Sequence, residues 1–369
     1  MPFESGSLSF SLFRVSALPR DVTQRFARVS LPPLKALGAD EIQGWVGYRH
    51  LLDTPVSEEN AYFGGYLFLS LVRAERRVPP ALLRIYCRME EIAQARAEGV
   101  GWLSARRRAE IRRAQQERLR SEMPPHIRAI SFVHLPAREL LLVQASAPAQ
   151  ADLFAVEFMK ATGEKPEWVD SVSLARWRRR VNPEDWPHAS FSPRRSDVAV
   201  LAPPGSQFLT WLWFYTETRG GCVRTEREGE FACALDGPLV FHAEGDGAHE
   251  IRVQRGAPLL SAEAKTCLLV GKTLRSARLM IAQHESEWRA TVTSDPLVIR
   301  GLRLPEDRGP DRARDPITRF QERMMATDRF LECLLTLFDL FIEERSDPRR
   351  WQRTLGEIRE WVASRSPRD

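Results

Sequence analysis

From Pro79 to Arg120 the chain keeps a strongly charged, helix-period pattern, broken at Gly99-Val100-Gly101 and stopped at Pro124-Pro125. On either side stand apolar segments of strand type, "YLFLSLVRAE" (Tyr66–Glu75) and "RELLLVQAS" (Arg138–Ser146). A pair of helices enclosed between two strands belongs to neither a helical bundle nor an all-β sandwich. It predicts a helical hairpin, residues 76–126, inserted into a sheet.

The remainder extends that reading to an α+β chain with mixed sheets and C-terminal helices. Leu8, Phe10 and Leu12 alternate with serines, the period of a half-buried strand, and "RDVTQRFARVSLPPL" predicts a short helix ended by Pro32-Pro33. The segment "QADLFAVEFMKATG" predicts a helix stopped at Gly163. Residues 1–75 and 127–163 then form a central domain, with 76–126 as its tip. Residues 164–205 carry Trp168, Trp177, Trp186 and the run Arg176-Trp177-Arg178-Arg179-Arg180, and close on Pro203-Pro204-Gly205. They predict a long connection with a boundary near 200. Interleaved Arg and Trp either stack on unpaired bases or pack against a neighbouring domain. From 206 to 369 a second α+β domain is expected. "GEFACALDGPLVFHAE" reads as a hairpin around Asp236-Gly237, and "ARLMIAQ", "EWRATVT" and "PLVIRGLRL" read as strands. Asp315-Pro316 and Asp347-Pro348 each combine a cap with a first-turn proline, opening two helices.

The formal net charge is +5, and 49 of the 54 basic residues are arginine, with lysine only at 35, 160, 165, 265 and 272. That surplus is too small to name a partner. The second arm of the insertion is more pointed: Arg106, Arg107, Arg108, Arg112, Arg113, Arg118 and Arg120 face only Glu110 and Glu117. Arg106–Glu110 and Arg113–Glu117 are spaced to pair on a helix, which leaves nucleic-acid contact and a self-satisfied solvated face both open. Five scattered cysteines predict no disulfide framework and a reducing cytoplasm. No signal-peptide pattern or membrane-length apolar run is read, since the most apolar stretch, Phe330–Ile342, carries Glu332 and Asp339.

Gly271-Lys272-Thr273 imitates the end of a phosphate-binding loop, but the required earlier glycine is Thr266. Leu260, Ala264, Leu268 and Gly271 instead fall at helical spacing behind Ser261, so Gly271 reads as a residue just past a helix end. Catalytic patterns are weak. Glu306, Asp307, Asp311 and Asp315 are interrupted by Gly309, Pro310 and Pro316 and offset by Arg308, Arg312 and Arg314. "EGDGAHE" (Glu244–Glu250) reads as a turn, and Cys222, Cys233, His242 and His249 are too widely spaced for a zinc finger. Neither a metal nor a cofactor is expected.

Six segments, taken in order, carry a resemblance. They are "FRV" in the first strand, "GWV" (Gly44–Val46), "VRAERRVPPALL" before the charged helices, "ELLLVQASA", "FLTWLW" and "LLSAEAKTCLLVGK". This order resembles the family of the recombination-associated protein RdgC over most of the chain. The resemblance implies a non-sequence-specific DNA-binding protein that closes as a homodimeric ring around double-stranded DNA. It further implies restraint of the recombinase RecA by occupation of DNA, a cytoplasmic, nucleoid-associated location and no catalysis. It places Lys272, Arg252 and Arg255 on the inner wall, with Arg106, Arg107, Arg112 and Arg113 as further candidates from the basic helix. Residues 164–205 have no counterpart in the family. The other readings are a metal-dependent DNA-processing enzyme and a protein-interaction scaffold.

Overall fold

The computed structural model describes residues 3–37, 41–194, 202–225, 229–243, 250–254, 256, 258–305 and 315–364. It is a mixed α+β structure built as two compact units. The larger comprises Met1–Ser16, His134–Asp152 and Pro166–Asp369, and the smaller comprises Ala17–Val133 and Leu153–Lys165.

The chain opens in the larger unit with β1 (Leu8–Arg14) and then builds the smaller one. There α1 (Val22–Arg28) is followed by β2 (Ile42–Val46), α2 (Glu58–Ala61), β3 (Tyr62–Phe63) and β4 (Tyr66–Arg76). The helical hairpin α3 (Pro80–Ala97) and α4 (Ala105–Glu122) leads into β5 (Pro125–Leu135). β4 pairs antiparallel with β5 from Phe68↔Val133 to Arg76↔Pro125, and β2 lies on the other side of β4. The insertion therefore sits at the open end of one antiparallel pair. Ahead of the segment 138–146, where the sequence predicts the next strand and Leu140–Val143 form one, the strand that receives the chain is β5. Its alternation in "HIRAISFVHL" was masked by the proline stop just before it.

Gly44 explains the "GWV" segment. A Cβ there would lie 2.5 Å from the Leu31 backbone, so only glycine lets the 29–31 segment bond to Trp45 through N–H groups at 3.0 Å. Trp45 is thereby set into an aromatic cluster, 4.8 Å from Phe26 and 5.6 Å from Phe132 between ring centroids. Phe154 and Phe158, one turn apart on α5 (Pro148–Thr162), complete it, and all five rings are buried. The hairpin has a smaller core of its own, Leu83, Cys87, Leu103, Ile111 and Leu119. Ser104 starts α4 by accepting from the Arg107 N–H at 3.2 Å.

In the larger unit β6 (Leu140–Val143) and β7 (Glu167–Trp168) pair with β1, and α6 (Ser171–Arg179) and α7 (Pro204–Thr218) follow. Next come β8 (Cys222–Thr225), β9 (Gly229–His242), β10 (Glu250–Val253), α8 (Ala262–Leu269), β11 (Thr273–Gln283), β12 (Ser286–Thr293) and β13 (Val298–Arg303). The long α9 (Pro316–Ser346) and α10 (Pro348–Ala363) end the described chain. Strands run β10-β9-β11-β12-β13-β1-β6, with β8 also on β9. Phe231, Cys233, Leu235, Leu239 and Phe241 of β9 are buried on one side, while Asp236, Pro238, Val240 and His242 alternate to the other.

Three expectations are corrected. Asp236-Gly237 makes no turn, because β9 continues through it; Gly237 leaves room for Pro258, whose Cγ would be 2.3 Å from an added Cβ. The units do not divide near residue 200. β1 pairs with both β6 and β13, which ties the first residues to the second half. Nor is 164–205 a linker: among its described residues Trp168 stacks on Phe13 at 5.9 Å, Arg14 lies 5.2 Å from the Trp177 ring, and Arg178 Nε donates to Asp339 at 2.9 Å. These arginines and tryptophans are engaged in packing. The two proline-opened helices stand as expected, Asp315 accepting from the Ile317 and Thr318 N–H groups and Asp347 from those of Arg349 and Arg350.

Candidate nucleic-acid interface

The Gly271-Lys272 pair closes α8. Gly271, at φ 87°, donates its N–H to Leu268 at 3.0 Å, and the Lys272 N–H returns to Cys267 at 2.9 Å. These two bonds make a left-handed helix cap, which accounts for the glycine without any phosphate. The Lys272 side chain, however, is buried, with 8% of its surface exposed. It lies close enough to Cys267 for its charge to oppose the rise that burial imposes on that thiol. Burial separates Lys272 from the exposed cations a DNA backbone would meet. Arg255 lies outside the described residues.

Arg252 is exposed on β10, opposite Val240 of β9. Tracing the register from there reveals a set of residues that the linear reading missed. Val240 pairs with Ser276 of β11, two residues before Arg278, and Arg278 pairs with Asp236 on one side and Thr291 of β12 on the other. Thr291 in turn pairs with Arg300 of β13, and Arg289 pairs with Arg303. Residues directly opposite share a face, so Arg252, Arg278, Arg289, Arg300 and Arg303 all stand on the side of the sheet away from the buried β9 residues.

Strict alternation would send Arg300 and Arg303 to opposite faces. The register slips between Arg289 and Thr291, and Gly301 takes φ 60°, donating its N–H to Ser9 Oγ at 2.9 Å. This bulge inserts the extra residue that brings both arginines to one side. Gly301 is therefore the small residue on which the basic face depends. Acidic groups share the face: Asp236 stands 3.6 Å from Arg278, Glu287 pairs with Arg289, and Glu250 begins β10. Among the described residues, no carboxylate pairs with Arg252, Arg300 or Arg303. Arg300 instead donates to Thr293 Oγ1 at 2.8 Å, a hydroxyl that leaves the positive charge uncompensated.

Of the helix candidates, Arg106 and Arg107 are engaged with Glu110 at 3.3 and 3.0 Å. Arg108, Arg112 and Arg113 are exposed and form no ion pair among the described residues, so the expected Arg113–Glu117 pair is not made. Arg108 and Arg112, four residues apart, present one positive stripe on α4.

Groups of the kind that support catalysis are differently placed. Burial pushes the Cys233 thiol up to about 12 and that of Cys333 to about 11, which leaves both protonated and unreactive. His134 is pushed down to about 4 by burial. Asp295 is pushed up to about 6, again by burial, but Gly205 has its Cβ position 2.5 Å from Oδ2, and the adjoining cavity measures about 10 Å³. That volume holds a water molecule at most. Among the described residues no group of three or more His, Cys, Asp or Glu side chains is placed to hold a metal. No described helix is long and apolar enough to cross a membrane.

The arrangement defines an open sheet face bearing arginines in excess of their carboxylate partners, suited to a repeating polyanion. No protein-family model matches the chain, and no curated protein matches it.

Proposed function

We propose that the chain is a non-catalytic, non-sequence-specific DNA-binding protein that contacts the phosphate backbone through the outer face of β10–β13. One observation carries this reading. Arg252, Arg300 and Arg303 stand on one sheet face with no carboxylate partner among the described residues, and Arg303 lies directly across from Arg289, which holds Glu287. Like charges opposite one another do not strengthen a sheet, whereas unpaired arginines on one face suit an external anion. Arginine also suits phosphate through its bidentate fork, and phosphate contacts are indifferent to base sequence.

The same reading includes a homodimer closing around double-stranded DNA. The exposed stripe Ile85, Met89 and Ile92 on α3, at helical spacing, supports a contact through the insertion, and the C-terminal region supplies the second. Occupation of DNA by such a ring restrains strand exchange of the RecA type. The test is fluorescence anisotropy with unrelated duplexes of equal length across a salt series, with light scattering on the same samples. Equal affinities that fall steeply with salt, and a dimer in solution, are expected. Sequence ranking would overturn the backbone reading, and a monomer at micromolar concentration would overturn the ring.

A further inference from the structure

Away from the sheet face, residues 181–188 and the corner between α9 and α10 enclose a cavity of about 520 Å³. That is within the range of small-molecule sites. Its wall includes Trp186, His188, Arg345 and Trp351, with Asp185 as the carboxylate in the lining. Arg345 is 2% exposed and held between two indoles, its guanidinium carbon 4.7 Å from the Trp186 ring and 4.8 Å from that of Trp351. Nε donates to Gln207 Oε1 at 2.9 Å, and Nη2 donates to the Pro187 carbonyl at 2.6 Å. Nη1 has no acceptor among the described residues.

Two partly buried arginines of this unit hold carboxylates, Arg138 with Asp328 and Glu332 and Arg219 with Glu344 and Glu357. Arg345 has none among the described residues, although Glu344 is its neighbour in sequence. Glu344 is committed to Arg219, Thr354 and the Trp211 N–H. Burial alone lowers the Arg345 pKa to about 10, so the group is still a cation at neutral pH. The same wall holds an unsatisfied donor: Trp351 is 5% exposed, and its buried Nε1–H has no acceptor among the described residues. Buried cations and buried N–H groups are normally paired. Here a buried cation without a carboxylate and a buried N–H without an acceptor belong to two residues of one cavity wall.

We propose that this cavity binds a small organic anion, its carboxylate or phosphate accepting from Arg345 and the Trp351 Nε1–H and its flat body lying against the tryptophans. The site is formed by residues 181–188 and the C-terminal helices, and it does not rest on the DNA reading.

The test uses the full chain with benzoate, AMP and inorganic phosphate as probes and adenosine as the uncharged control, read by calorimetry and thermal shift. Saturable binding of at least one anion at millimolar concentration or below is expected, with none for adenosine. Benzoate alone would assign a carboxylate, and AMP or phosphate alone a phosphate. The informative variant is Trp351→Phe, which keeps an aromatic surface, trims the indole and deletes the N–H donor. Its anion affinity should drop about tenfold for one lost charge-assisted hydrogen bond, while a cooperative ligand-free melt shows that the variant folds. The proposal is refuted by silence from all three anions with the parent chain, or by unchanged affinity in a folded Trp351→Phe.

Discussion

Replacing Arg303 by glutamine separates a DNA-binding face from a structural one, because the two roles predict opposite signs. Arg303 stands directly across from Arg289, on strands whose opposed Cβ atoms lie about 4.5–5.5 Å apart. No carboxylate among the described residues pairs with it. Glutamine keeps most of the stem and removes an exposed charge that has no carboxylate partner, across from an Arg289 that already holds Glu287, so the melting temperature should stay or rise. DNA binding should respond in the other direction. One lost phosphate contact makes the slope of log affinity against log salt shallower by about 0.9, or about a 3.5-fold difference across a fourfold change in salt. Arg289→Gln with Arg303→Gln should double the change, to about 1.8 in slope and about twelvefold. Arg138→Gln is the control. Its guanidinium bonds Asp328 and Glu332 within the fold, so its loss should lower the melting temperature and leave the salt slope alone. Anisotropy against salt and differential scanning calorimetry on the same preparations decide the matter. A destabilised Arg303→Gln protein with an unchanged salt slope would refute the assignment of this face to DNA.

Three further outcomes are expected. Lys272→Ala should lower the melting temperature without altering the salt slope, because the side chain is buried; a slope shallower by about 0.9 would return Lys272 to the DNA contacts. Arg108→Gln, Arg112→Gln and Arg113→Gln together should leave circular-dichroism melting unchanged while making the salt slope shallower by up to about 2.7, and an unaltered slope would make α4 a solvated arm. Asp295 is an acid whose folded pKa, about 6, exceeds its unfolded value near 3.9. The folded state therefore holds the proton more tightly, and the stability this supplies is complete below about pH 4 and lost as pH rises through 6. Two pKa units correspond to about 3 kcal/mol, so Asp295→Asn should flatten that part of the urea-denaturation profile relative to the parent chain.

Signals confined to a turn or two of chain were legible in the sequence. Asp315-Pro316 and Asp347-Pro348 start helices, Gly271 ends one, and the Pro79–Arg120 pattern makes an inserted hairpin. Each depends on hydrogen bonds between residues within a few positions of one another, so the local sequence is sufficient to specify it. The basic face was not legible because its arginines are scattered from 252 to 303 among ordinary strand residues. Only the pairing register, and the slip at Gly301, brings them to one side. The Arg/Trp segment left base stacking and packing both open for a related reason. Its composition suits nucleic acid, but whether an arginine meets solvent or Asp339 is decided by what folds against it. The same holds for Lys272 and Arg345: sequence determines that each carries a positive charge, whereas tertiary packing decides which charges remain available, because burial and pairing are properties of residues brought together from distant parts of the chain.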